Sequence, residues 1–155
     1  MEIQSILVGI AVLVLFMGPI IYIILQASAV ERKNKKTIVT LCKAQGITIK
    51  DLERIGNTIL GLDITQEYLI VSEAFHPKES LQVYSLKKIQ TCTVSGLRSS
   101  RKTLDTVGME LSGIDFVKNI LVYQEDDELN TENSEACLQR LMHWEQVVKK
   151  RLTAA

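Results

Sequence analysis

The sequence predicts an α+β protein: an N-terminal transmembrane helix, then a soluble antiparallel β-barrel or sandwich of six to seven strands, capped by a C-terminal amphipathic helix. Three observations carry that prediction. From Ile6 to Leu25, ILVGIAVLVLFMGPIIYIIL contains no charged side chain. Between residues 56 and 123, short apolar runs alternate with turn-forming residues at spacings too close for intervening helices. From Glu135 to Leu152, apolar residues recur every three or four positions, the period of a helix face.

The first element follows from length and composition. At about 1.5 Å of rise per residue, roughly twenty apolar residues match the hydrocarbon thickness of a bilayer. Pro19, after Gly18, removes one helix donor, which a membrane helix tolerates with a kink. MEIQS ahead of the span has no Lys or Arg, whereas Arg32, Lys33, Lys35 and Lys36 follow it. Positive charge marks the cytoplasmic side, so the expected location is the inner (plasma) membrane, single-pass, with the soluble domain in the cytoplasm. The alternative is a secreted or periplasmic domain released by signal-peptide cleavage, since Ala27-Ser28-Ala29 has small residues at a cleavage-like spacing. A missing basic leader and an apolar run longer than a signal core argue for the anchor.

The expected organisation is an anchor over 1–30, a basic juxtamembrane helix and linker over 31–50, and a soluble domain over 51–155. After the basic run, Ile38, Leu41, Cys42 and Gln45 share a helical face, with Gly46 placed as its C-cap. The strands expected next are 57–62, 68–74, 81–86, 89–94, 104–111 and 117–123, with a seventh within 47–55. Links as short as Asp63 to Glu67 require antiparallel neighbours. His76-Pro77-Lys78-Glu79 reads as a turn and Ser95 to Lys102 as a basic loop. The acidic run Glu125 to Glu128 and the N-cap candidates of 130–134 then introduce the last helix. Its apolar face is Cys137, Leu138, Leu141, Trp144, Val148 and Leu152, and it ends in Lys149, Lys150 and Arg151.

Charge limits the function classes. The 18 basic and 18 acidic residues cancel, but residues 31–50 carry net +5 and residues 51–155 net −4. An acidic domain is a poor match for a polyanion, so nucleic acid is not an expected partner. Cys42, Cys92 and Cys137 are scattered and odd in number, which suits buried thiols in a reducing compartment better than disulfides or zinc. No phosphate loop, dinucleotide fingerprint, metalloprotease motif or nucleophile elbow occurs. His76 and His143 lack partners at catalytic or ligating spacing, so no catalytic residue, metal site or cofactor is expected. The local feature that could hold an anion or acidic partner is Arg98-Ser99-Ser100-Arg101-Lys102, three cations and two hydroxyls in five residues.

The phrases Ile59-Leu60-Gly61-Leu62-Asp63, Tyr68-Leu69-Ile70-Val71 and Val83-Tyr84-Ser85-Leu86-Lys87-Lys88-Ile89, followed by one Trp-bearing helix, resemble the pleckstrin-homology-like fold, including its bacterial and GRAM-type members. The resemblance covers residues 50 to 152. The whole plan is also similar to small bacterial membrane proteins, notably of Bacteroidetes. It implies a binding module and not an enzyme. Lipid sites of that family place cations in the first strand-to-strand loop, whereas Asp63 to Glu67 holds two acids and no base, which points away from headgroup recognition there. The expected function is therefore a membrane-held module for a protein partner or self-association. The alternative is recognition of anionic lipid headgroups by Arg32, Lys33, Lys35 and Lys36 with the 98–102 loop.

Overall fold

The computed structural model describes residues 2–98, 104–128 and 132–154. Two compact units divide the chain between Lys36 and Thr37. Helix α1, Glu2–Ala44, runs through Pro19 without interruption. In the first unit the apolar side chains from Ile6 to Val30 are all exposed. By length and composition this helix can cross a membrane. Local pairs hold polar side chains: Ser28 Oγ donates to the Ile24 carbonyl at 3.0 Å, Arg32 Nε to the Ser28 carbonyl at 3.2 Å, and Lys35 meets Glu31 at 2.8 Å.

The second unit begins with the last turns of α1. Gly46, at φ +78°, ends the helix as expected of a left-handed C-cap, and the Ile47 N–H returns to the Cys42 carbonyl at 2.9 Å. Seven strands follow among the described residues: β1 Ile49–Ile55, β2 Thr58–Asp63, β3 Tyr68–Glu73, β4 Gln82–Ser85, β5 Ile89–Leu97, β6 Thr106–Gly113 and β7 Val117–Gln124. A four-residue helix, α2 Pro77–Ser80, replaces the expected simple turn, and helix α3, Ser134–Ala154, closes the chain. The strands form two antiparallel sheets, ordered β1-β2-β3-β4 and β5-β6-β7. Of the barrel and sandwich alternatives, closure into a barrel does not occur. β1 and β4 edge one sheet and β5 and β7 the other, and among the described residues no strand pairing joins these edges.

The four-stranded sheet is covered on both faces, which explains why all six residues of β2 are buried and none alternates outward. One face carries Ile59, Ile70 and Ala74 against Ile38 and Cys42 of α1. The other, with Leu60, Leu62, Leu69 and Val71, meets Cys92, Val107, Met109, Leu111 and Val122 of the second sheet. Helix α3 completes this main core with Cys137, Leu141, Trp144 and Val148, four of the positions its period selected. Asn133 caps it: its Oδ1 accepts the Glu135 N–H at 2.9 Å. A Cβ at Gly61 would lie 2.7 Å from Leu52 Cδ1 and 3.0 Å from the Asp51 carbonyl, so β1 and β2 approach closely only because that residue is glycine.

Candidate functional site

Of the basic loop singled out in the sequence, Arg98 pairs with Glu135 at 2.8 Å in the first turn of α3; Ser99, Ser100, Arg101 and Lys102 lie outside the described residues. Arg98 therefore carries out helix-end pairing, with its charge already matched. Arg32, Lys33, Lys35 and Lys36 belong to α1 in the first unit, where Lys35 is paired with Glu31.

The cysteines are thiols in the core. Burial, reinforced by Glu132, pushes Cys137 up to about 12, and burial with Glu145 pushes Cys92 up to about 11. Neither forms a thiolate at neutral pH, so neither is poised as a nucleophile. Among the described residues no group of three or more His, Cys, Asp or Glu side chains converges as a metal site would require.

Two concavities among the described residues bear on binding. Beside α3, about 460 Å³ opens between β1 and the helix, lined by Asp51, Leu52, Glu53, Leu62, His143, Trp144 and Val147. Its central polar group is committed internally. Glu53 accepts from Trp144 Nε1 at 2.7 Å and Arg140 Nε at 2.8 Å. Arg140 also bonds the Arg54 carbonyl and reaches Glu132 at 3.0 Å, and Glu132 in turn accepts the Gly56 N–H at 3.0 Å. Burial would raise the Glu53 carboxyl, but the Trp144 and Arg140 bonds outweigh it and hold the group below the usual carboxylate range. That network fastens helix to sheet.

The second concavity, about 490 Å³, lies between β7 and the end of β3 with α2. Ser80 shapes one wall: its Oγ accepts the Glu73 N–H at 2.8 Å and donates to the His76 carbonyl at 2.7 Å, pinning α2 to the strand. That wall presents the exposed carboxylates Glu73 and Glu79. The cleft continues into a depression of about 290 Å³ that shares Thr58, Glu73, His76 and Leu121 and includes Asp127. Among the described residues Lys118 is the one Lys or Arg lining either part.

The opposite wall is a sheet edge. Thr58 Oγ1 donates to the Leu121 carbonyl at 3.1 Å and the Asn57 N–H to the Val122 carbonyl at 3.1 Å, joining the sheets at the C-terminal half of β7. Beyond the register shift opposite Leu121–Tyr123 the ladder is regular, and the Gly113 N–H bonds the Phe116 carbonyl at 2.8 Å; alternation from that pair turns the peptide groups of Lys118 and Ile120 toward β6 and those of Val117 and Asn119 away from it. Among the described residues no backbone or side-chain partner meets those groups. An edge strand with unpaired backbone groups can accept another strand.

Sequence reasoning did not single out Glu73, Glu79 or Asn119. The signal available was the polar pair Lys118-Asn119 interrupting the apolar 117–123 run. Comparisons with protein-family models, curated proteins and solved structures find no match to this chain.

Proposed function

We propose that this chain is a non-enzymatic single-pass membrane protein that presents a cytoplasmic docking module to a protein partner. The observation that carries the reading is the β7 edge, unpaired among the described residues, facing a cleft, while the Glu53–Arg140–Glu132 cluster beside α3 is matched internally. The apolar helix and the cations that follow it support membrane attachment and a cytoplasmic domain. A four- plus three-stranded sandwich with a C-terminal helix supports a pleckstrin-homology-like assignment. Such an arrangement binds through backbone and packing and needs no reactive group.

The second reading, anionic headgroup recognition, draws on the net +5 of residues 31–50. One experiment separates the two. A photo-crosslinking amino acid is placed at Asn119 or, as control, at the exposed Gln146 of α3, in full-length protein in its native membrane. A discrete protein adduct from position 119 and none from 146 is expected. Lipid adducts alone would favour headgroup binding, and no adduct from either position would overturn the docking reading.

A further inference from the structure

We infer that the β7 cleft takes an extended, basic peptide segment of a partner as an added antiparallel strand, an inference that rests on the docking reading above. Backbone geometry names the extended form. The outward N–H and C=O groups of Asn119 and Val117 sit at ladder spacing and have no partner among the described residues. A helix or a globular surface cannot satisfy such a row, whereas a strand can.

Side-chain parity then sets the chemistry of the two faces. On β7, Val117 and Leu121 are 65% and 53% exposed and flank Asn119 on the outer face, because their partners on β6 are Ser112 and Gly108. An incoming strand therefore places its outer residues beside two aliphatic side chains. Its alternate residues point inward, as Lys118 does opposite the buried Leu111, into the cleft. There Glu73 and Glu79 stand against Lys118, and neither has an ion-pair partner among the described residues. Two carboxylates against one ammonium select a cationic side chain at those positions. The fitting ligand alternates aliphatic and basic residues. Binding stops before Leu121, whose carbonyl is already taken by Thr58, so the ladder is short and its affinity modest.

The test uses full-length protein in nanodiscs of neutral phosphatidylcholine, so that lipid charge cannot capture the probes. Dye-labelled, end-capped octapeptides TVKVTVKT and TVEVTVET are compared by fluorescence anisotropy. The lysine peptide is expected to bind about tenfold more tightly than the glutamate peptide, with the preference falling as salt rises. Glu73→Lys with Glu79→Lys should reverse the order. Asn119→Pro removes one outward N–H without touching the β6 ladder and should weaken both peptides about tenfold. Amide hydrogen exchange in the unmodified protein supplies a readout free of folding defects: Val117 and Asn119 should slow when the lysine peptide is added. Equal binding of the peptides, no binding, or unchanged exchange at Asn119 would overturn the strand-addition inference. If the Asn119 crosslinker still captures a protein in the native membrane while the peptides fail, the docking reading stands and only this mode falls.

Discussion

Asp63 shows how one residue can organise a turn from within the core. Only 4% exposed, its carboxylate accepts from the Glu67 N–H at 2.8 Å, the Tyr68 N–H at 2.9 Å, the Thr65 N–H at 3.2 Å and the Thr65 hydroxyl. These bonds hold the β2–β3 link and allow Gln66 its left-handed φ of +56°. Replacing Asp63 by Ala strands several donors, and the expected cost is about 2–4 kcal/mol, read as a lower urea midpoint of the full-length protein in micelles. Asp63→Asn keeps one acceptor oxygen and should recover part of that loss. In the sequence the same residue counts as one of two loop acids. Its burial was not legible there, because nothing local distinguishes a solvated Asp from one whose carboxylate faces inward onto its own turn.

At the scale of elements, α3 is held by packing and by the Glu53 network together. The carboxyl of Glu53 lies below its ordinary range in the folded protein, so the fold binds its proton less tightly than the unfolded chain does. Its contribution is therefore present above the unfolded value of about 4.3 and is lost as pH falls through the lower folded value. The side chain is 39% exposed, and solvent screens much of the ion pair. Trp144, the chain's single tryptophan, donates to this carboxylate and reports on it. Titrated from pH 7 to 3, its emission should shift with the acid transition. In Glu53→Gln the pH-dependent part of that shift should shrink, with the helix still folded by circular dichroism. An identical acid profile in the variant would remove Glu53 from the account. The helix itself was legible, since Cys137, Leu141, Trp144 and Val148 fall at its period, but the clamp joins residues 53 and 140, and no local pattern pairs positions that far apart.

For the whole molecule, the N-terminal helix is long and apolar enough to cross a membrane. Leu15 lies near the middle of the uncharged run, where an arginine costs about 2.5–3.5 kcal/mol on the insertion scale. Leu15→Arg is expected to move a clear fraction of the protein from the membrane pellet to the supernatant on carbonate extraction. A distribution unchanged from the parent would count against membrane crossing by this helix. Composition and period alone determined the apolar helix, the antiparallel strands, the C-terminal helix and the glycine that ends α1, because hydropathy, alternation and backbone freedom are properties of neighbouring residues. The tertiary structure decided the division into a four- and a three-stranded sheet and the double burial of β2. It also decided the pairing of Arg98 with Glu135 and the cleft between β7 and α2. Each of those depends on which strand edges are already occupied and which side chains meet across the fold, and those contacts exist only once distant segments pack together.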